Sequence, residues 1–232
     1  MATRSADIDR DAGPRGARTL LLLTDRSHVQ ILGALCVRPT RSAELADAIG
    51  VPDGAPPRTQ LRHLVALGAI AKRRLNGFPG LLEYELTEAG RELLEVDETL
   101  DRWLAEAPGG PLQAGTDAAC SAIKALADGW SAGVVSGLAA GRLTLAELAA
   151  ENPALSYPSL EHRLAAMRLA GLVELCRAGG SDRRNTVGGW LRGAAASLLA
   201  ACDWEQRLAA PERPTPSALP DLEAIELLAS GR

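Results

Sequence analysis

The 232-residue sequence predicts a mainly helical α+β chain with small β wings, built as two copies of one unit. Three observations lead to this prediction. The tetrapeptide Ala-Glu-Leu-Ala at residues 43–46 recurs at residues 146–149, which lie 103 positions further along. Helical apolar spacings alternate with short strand-like segments in both copies. Alanine and leucine supply most of the apolar residues, and aromatic residues make up only 3%, which favours helix.

The same offset connects other positions of the two copies. Gly68 corresponds to Gly171, and each follows a helical apolar run and precedes a strand-like segment. A glycine in the left-handed conformation commonly ends a helix at such a place. We expect the offset to hold without a gap from residue 43 to residue 90, so that Gly90 corresponds to Gly193.

Proline and glycine divide the chain into segments. Residues 107–111 read Ala-Pro-Gly-Gly-Pro, which ends both helix and strand, and four prolines lie between residues 211 and 220. We predict a disordered N-terminal arm (1–17), a first domain (18–106), a linker (107–116), a second domain (117–210) and a proline-rich tail with a short helix (211–232).

The first copy alternates helices and strands in a recognisable order. Its predicted elements are helices at 28–36 and 42–49, a third helix opening near Pro57, strands at 70–75 and 82–86 around the turn pair Asn76-Gly77, and a long helix from Glu88 capped by Thr87. Three helices, a hairpin and a closing helix predict a winged helix-turn-helix.

The second copy repeats this plan. Its predicted elements are a helix at 130–138, a helix opened by a capping box of Thr144 and Glu147, a third helix from Tyr157, strands at 172–176 and 186–191, and a closing helix at 193–208. The predicted architecture is therefore two tandem winged helix-turn-helix domains.

Charge is unevenly distributed although the net charge is only −4. Residues 26–80 hold eight Lys and Arg against three acidic residues, whereas residues 81–106 hold two against nine. The second helix of such a motif enters the major groove, and basic residues bind phosphates. The candidate DNA contacts of the first copy are Arg58, Thr59, Gln60, Arg62 and His63 on the reading helix and Lys72, Arg73 and Arg74 on the wing.

The second copy carries a weaker signal. Residues 129–184 hold six Arg against five acidic residues. Its candidate DNA contacts are Ser159, His162 and Arg163 on the reading helix, and Arg183 and Arg184 on the wing. Whether this copy contacts DNA is left open.

Several short motifs resemble those of the HxlR-type winged-helix regulators and, more distantly, of the MarR type. Residues 84–90 are similar to the pattern Y-x-L-T-x-x-G at the end of the wing, and Gly129-Trp130 is similar to the G-x-W before the first helix. The resemblance extends over residues 19–208 and implies a DNA-binding transcriptional regulator. Members of that family usually carry one such domain and dimerise, whereas this sequence predicts two domains in one chain.

No catalytic, metal-binding or nucleotide-binding motif accompanies the three histidines, and we predict neither an enzyme nor a cofactor. The four cysteines form no C-x-x-C pair. Cys120 lies near the place of a sensing cysteine in some HxlR-type proteins, and we interpret it as a buried structural thiol. No stretch reaches the roughly 20 apolar residues needed to span a bilayer, and we predict a cytoplasmic protein without a membrane partner.

The leading hypothesis is a sequence-specific regulator whose two domains act as a covalent pseudo-dimer, with reading helices about 34 Å apart. The predicted partners are double-stranded DNA, a small apolar effector and a second copy of the chain. A cleft lined by Trp103, Trp130, Trp190 and Trp204 could hold the effector, although packing between domains is the favoured interpretation of these residues. The alternative is a tandem winged-helix protein-interaction module, similar to the accessory subunits of bacterial condensin, without sequence-specific DNA binding.

Overall fold

A computed structural model of the chain describes residues 16–50, 58–74, 82–177, 183–209 and 228–229. Within these ranges the helices and strands are, in order, α1 (Ala17–Leu23), α2 (Arg26–Val37), β1 (Thr40–Arg41), α3 (Ser42–Ala48), α4 (Arg58–Ala66), β2 (Ile70–Arg74), β3 (Leu82–Leu86), α5 (Glu88–Ala105), α6 (Asp117–Ser131), α7 (Val134–Ala140), α8 (Leu145–Glu151), α9 (Tyr157–Leu169), β4 (Val173–Arg177), β5 (Arg183–Val187), α10 (Gly189–Gly193) and α11 (Ala195–Ala209). The predicted α+β winged helix-turn-helix class is confirmed.

Residues 16–106, the N-terminal half, place helices α2, α3 and α4 against a three-stranded antiparallel sheet of order β1-β3-β2. The predicted inward residues of α4 are confirmed at Leu61 and Leu64, which are buried, whereas Leu67 after the helix is only half-buried. The predicted apolar face of the first helix is wrong at Cys36, which is exposed.

Thr87 connects the wing to the long helix α5. Its side chain accepts a hydrogen bond from Gly90 N–H, as predicted for a helix cap, and its own N–H donates to the carbonyl of Ala69. A Cβ atom added to Gly90 would collide with that same Ala69 oxygen. The close approach of α5 to Ala69, the residue before β2, therefore requires glycine at residue 90.

The turn from the third helix into the wing has the same geometry in both halves. Gly68 has φ 72° and Gly171 has φ 77°, both left-handed. Ala69 N–H donates to Leu64 O at 3.0 Å, and Leu172 N–H donates to Met167 O at 2.9 Å. The predicted role of these two glycines as helix-ending residues is therefore confirmed.

Residues 117–209, the C-terminal half, begin with a helix that the sequence pattern missed. The helix predicted at 130–138 is wrong, because Trp130 lies near the end of α6 and the chain breaks at Gly133, with φ 72°, before α7 begins. The capping box is confirmed: Thr144 accepts from Glu147 N–H, and the Glu147 carboxylate accepts from Thr144 N–H.

The constant offset of 103 residues fails at the second hairpin. Ile70 pairs with Leu86 in the first hairpin, whereas Val173 pairs with Val187 in the second, so the second hairpin is two residues shorter. The offset is therefore 101 from β5 onwards, and the predicted match of Gly90 with Gly193 is wrong. The strand predicted at 186–191 is also wrong, since β5 ends at Val187 and the short helix α10 begins at Gly189.

The two halves meet along α5 and α11, and two tryptophans stack at this contact. The rings of Trp103 and Trp190 are 4.4 Å apart and almost parallel. Trp103 Nε1 donates to Trp190 O at 2.9 Å, and Trp190 Nε1 donates to Trp103 O at 2.8 Å. At the other end of α5, Trp204 Nε1 donates to Ala89 O at 2.7 Å.

These contacts are reciprocal when the two halves are aligned with the offset of 101 residues. Trp103 and Trp204 lie 101 positions apart, and so do their acceptors, Ala89 and Trp190. The two donors exchange acceptors in the opposite half, which is how an isologous twofold interface behaves. Helix α1 adds to the contact by packing against both α6 and α11.

Several predicted features lie outside the described residues, namely residues 1–15, Pro57, the turn at 51–54, Asn76-Gly77, the second wing tip and most of the tail. Helix α1 begins at Ala17, one residue inside the predicted N-terminal arm. Within the described ranges, no single helix combines the length and apolar character needed to cross a membrane. Only α1 and α2 together meet that test, and they are bent by 81° at their junction.

Candidate nucleic-acid interface

Helix α4 presents a cationic outer face above a buried inner face. Leu61 and Leu64 anchor it in the core, whereas Arg58, Thr59 and Arg62 are exposed and Gln60 is half-buried. This spacing follows from the 3.6-residue helical period, which turns residues 58, 59 and 62 away from residues 61 and 64. The predicted reading residues at these positions therefore share one exposed surface.

Strand β2 continues this basic surface onto the wing. Lys72, Arg73 and Arg74 are all exposed. Arg73 forms an ion pair with Glu85 on the neighbouring strand, with 3.5 Å between Arg73 Nη1 and the carboxylate. An exposed pair of this kind contributes little to stability, so Arg73 is restrained only weakly.

The remaining cations of this surface have no carboxylate partner in the part of the chain that the structure describes. Arg58, Arg62, Lys72 and Arg74 form no ion pair there, and we call these four residues the cationic face. Repulsion among like charges costs free energy in the absence of a partner. A polyanion such as a DNA backbone would relieve that repulsion.

Helix α5 carries the opposite charge on the far side of the wing. Its residues include Asp97, a buried carboxyl group that is 8% exposed and whose Oδ1 has no hydrogen-bond partner. Burial, with smaller effects from the neighbouring Asp101 and Glu98, raises the pKa of Asp97 to about 6. This acidic helix would repel phosphates, so the cationic face is the side of the N-terminal half suited to DNA.

Helix α9, which corresponds to α4 in the C-terminal half, lacks the cationic outer surface of α4. The positions of Arg58 and Arg62 are taken by Glu161 and Ala165, both exposed. On the wing, Leu175 takes the position of Lys72, and its side chain is 42% exposed. A carboxylate, a methyl group and an isobutyl group therefore replace three cations.

The three predicted contact residues of α9 lie in different environments. Ser159 N–H donates to the Ser156 side chain at the start of the helix, and His162 is exposed. Arg163 is turned towards α6, where its Nη1 donates to Asp128 O at 2.9 Å and lies 3.9 Å from the Asp128 carboxylate. Arg163 therefore contributes to packing between α9 and α6.

The two predicted wing residues of this half differ in their exposure and in their contacts. Arg183 is exposed, whereas Arg184 Nη1 donates to Arg142 O at 3.0 Å and pairs with Glu147 at 3.5 Å. The pKa of Glu147 is lowered chiefly by the hydrogen bonds from Thr144, with Arg184 adding a smaller effect. Arg184 thus stabilises the attachment of the second wing to α8.

A pair of histidines that the sequence patterns did not connect lies beside α4. The ring of His63 meets the ring of His28 edge to face, with 5.2 Å between centroids. His28 is buried, and desolvation lowers its pKa; the nearby Asp25 opposes that effect and His63 reinforces it. The spacing of Asp25 and His28, three residues apart at the start of α2, was the available signal for this cluster.

The cysteines show no shared chemistry. Cys36, Cys120, Cys176 and Cys202 form no disulfide with one another. Cys120 is half-buried, and its Sγ donates to Thr24 O at 3.4 Å, a contact that joins α6 to the end of α1. In the described ranges, no group of three or more His, Cys, Asp or Glu side chains could hold a metal ion.

The fold and the cationic face define the class of helix-turn-helix DNA-binding domains. Residues 22–108 match the family model of the HxlR-like helix-turn-helix. Over this segment, which is less than half of the chain, the protein is similar to a family of DNA-binding transcriptional regulators, and the match supports an HxlR-type regulator. No curated protein matches the chain.

Proposed function

We propose that this protein is a sequence-specific transcriptional regulator of the HxlR type in which residues 18–106 and 117–210 act as two winged-helix domains of a covalent pseudo-dimer. The cationic face carries the proposal, since four exposed cations on α4 and β2 lack ion-pair partners in the described ranges. Arg58, Thr59, Gln60 and Arg62 read base edges, and Lys72, Arg73 and Arg74 hold phosphates.

The second half has a different role in this proposal. Arg163 and Arg184 are engaged within the chain, so Ser159, His162 and Arg183 remain as its DNA contacts. The reciprocal tryptophan contacts support the pseudo-dimer, because equivalent donors of the two halves exchange acceptors as they do across a twofold interface. The proposed protein acts in the cytoplasm, responds to a small apolar effector and pairs with a second copy of itself.

The first experiment measures binding to a duplex by fluorescence anisotropy over a series of salt concentrations. The wild type is compared with the triple variant Arg58→Ala, Arg62→Ala, Arg74→Ala. Each phosphate contact contributes about 0.9 to the slope of log affinity against log salt. We expect the triple variant to lose about one such contact's worth of slope, from Arg74, and most of its affinity at low salt, since the base contacts of Arg58 and Arg62 are lost as well.

A matched control removes the same charge elsewhere. Arg91, Lys124 and Arg192 are exposed on α5, α6 and α10, away from the cationic face. The triple alanine variant at these positions should retain the affinity and the salt slope of the wild type. Equal losses in both variants would show that only net charge matters, and sequence-specific contact by α4 would then be wrong.

The sequence preference needs a separate measurement. Selection of binding sites from a random duplex pool should return a motif for the wild type, and Gln60→Ala should relax it at one position. Absence of binding at low salt would refute the regulator and favour the protein-interaction module. A motif with two half-sites would indicate that both halves read DNA, and a single half-site would assign reading to the first.

A further inference from the structure

A cleft of about 760 Å³ opens between the two halves, beside the proposed reading helix. Its walls come from Leu21 and Leu22 of α1, from His63 and Leu67 at the end of α4, and from Trp204 and Leu208 of α11. It differs from the cleft expected from the sequence, because Trp103 and Trp190 stack on each other and only Trp204 of the four tryptophans lines it. The cleft is thus an apolar cavity that both halves build.

One buried polar group in this wall lacks a hydrogen-bond partner. His28 lines the cleft and is 6% exposed. Its Nδ1 lies 3.2 Å from Leu22 O and 3.5 Å from an Asp25 carboxylate oxygen, which are both acceptors. Nδ1 therefore carries the proton of the neutral ring, and Nε2, which is buried and has no partner among the described residues, is a bare acceptor.

The other charged groups of the wall restrict the charge of a ligand. Glu205 already accepts from Thr19 N–H at 3.0 Å and from the Thr19 hydroxyl at 2.8 Å. Asp25 and Glu205 together outnumber Arg18, which also lines the cleft, so these three side chains leave the wall net negative and disfavour a carboxylate ligand. A neutral molecule that donates one hydrogen bond fits this wall, since its donor would satisfy His28 Nε2.

We propose that this cleft is the effector site and that it binds a small neutral apolar molecule whose hydroxyl group donates to His28 Nε2. Because Nε2 has almost no accessible surface in this structure, the ligand reaches it by displacing the exposed ring of His63, which lies edge to face on the ring of His28 and belongs to α4. Leu67 and Leu208 would cover its apolar body from opposite halves. Occupancy then fixes α4 relative to α11, which is how the ligand would reach the DNA-reading surface.

This inference deepens the proposed function, and its test is made without DNA so that the two can fail separately. Equilibrium dialysis compares 2-naphthol, 2-methylnaphthalene and 2-naphthoate, which share an aromatic body and differ in the polar group. We expect 2-naphthol to bind the full-length protein about ten-fold more tightly than 2-methylnaphthalene, and 2-naphthoate to bind more weakly than either.

Two variants locate the binding. His28→Leu should bind 2-naphthol and 2-methylnaphthalene equally, because it removes the acceptor and keeps the apolar wall. Leu208→Trp should fill the cleft and block both. Leu169→Trp is the matched control, since Leu169 is 92% exposed on α9 and lies outside this cleft; it should bind as the wild type does.

The outcomes decide the proposal directly. Failure of all three probes to bind the wild type overturns the site, whatever the DNA measurements show. A preference for 2-naphthol that survives in His28→Leu also overturns it, because the hydroxyl would then be recognised elsewhere. Loss of DNA binding in the anisotropy experiment leaves this site untouched, and the dialysis result stands on its own.

Discussion

Substitution of Trp103 by phenylalanine tests whether the stacked tryptophans hold the two halves together. The change removes the Nε1 donor that bonds Trp190 O at 2.9 Å and shrinks a ring that is stacked at 4.4 Å. Loss of the donor leaves the buried carbonyl of Trp190 without its hydrogen bond, which costs about 1–3 kcal/mol. Weakening of the stack adds about 0.5–1.5 kcal/mol. We expect the free energy of unfolding to fall by about 2–4 kcal/mol.

A double-mutant cycle with Trp190→Phe isolates the pair. Both tryptophans donate to each other's carbonyl, so the two single variants should cost similar amounts and the double variant less than their sum, by about 1 kcal/mol. Trp204→Phe is the control, because Trp204 bonds Ala89 at the opposite end of α5. Fourteen helical residues separate Ala89 from Trp103, about 21 Å, so Trp103→Phe and Trp204→Phe should be additive.

Urea unfolding followed by circular dichroism measures each variant. The reasoning would be refuted by a coupling free energy between Trp103 and Trp190 within about 0.3 kcal/mol of zero. It would also be refuted if the single variants lowered the free energy of unfolding by less than about 0.5 kcal/mol. The shape of the transition carries further information, since weakening the contact between halves can separate one transition into two. A split curve in the Trp103 variant would show that this contact couples the unfolding of the halves.

Three further substitutions test individual features of the fold. Burial raises the pKa of Asp97 to about 6 from its usual value of 3.8, so the folded state loses stability as pH rises from about 4 through about 6; Asp97→Asn should gain up to about 3 kcal/mol at pH 8 and little at pH 3.5. A pH-independent difference in the urea midpoints would contradict this. Gly90→Ala should destabilise the protein by several kcal/mol, because its Cβ collides with Ala69 O; a thermal midpoint equal to that of the wild type would show that the backbone at Ala69 yields. Thr144→Ala should cost about 1 kcal/mol through loss of the cap to Glu147 N–H, and no change in the urea midpoint would mean that α8 is held by packing alone.

The sequence predicted the local elements well where a short-range rule determines them. Helix ends at Gly68, Gly171 and Thr144 depend on neighbours within a few residues, and their geometry is as predicted. Helix α1 was not predicted, because it is only seven residues long and its apolar residues 20–23 are consecutive. It forms because it packs against α6 and α11, and such a tertiary contact leaves no periodic signal in seven residues.

The candidate site could be predicted only in part for the same reason. The exposure of Arg58 and Arg62 follows from helical periodicity and was predictable. The inward turn of Arg163 depends on Asp128, which lies 35 residues away along the chain. The pairing of His28 with His63 likewise joins two helices. No spacing rule in the sequence connects such residues. They come into contact only through the packing of α2, α4, α6 and α9.

The presence of both halves in one chain gives a physical reason why their third helices can differ in charge. A homodimer carries every substitution twice, so a change that removes a cation removes it from both reading helices. In a single chain each half changes alone. Glu161 and Ala165 could therefore replace the counterparts of Arg58 and Arg62 while the first reading helix kept its charge. The contact between halves tolerates less change, because Trp103 and Trp204 each need an acceptor in the opposite half. From this we infer that the interface preserves the placement of the two halves, and that the first half carries most of the DNA affinity.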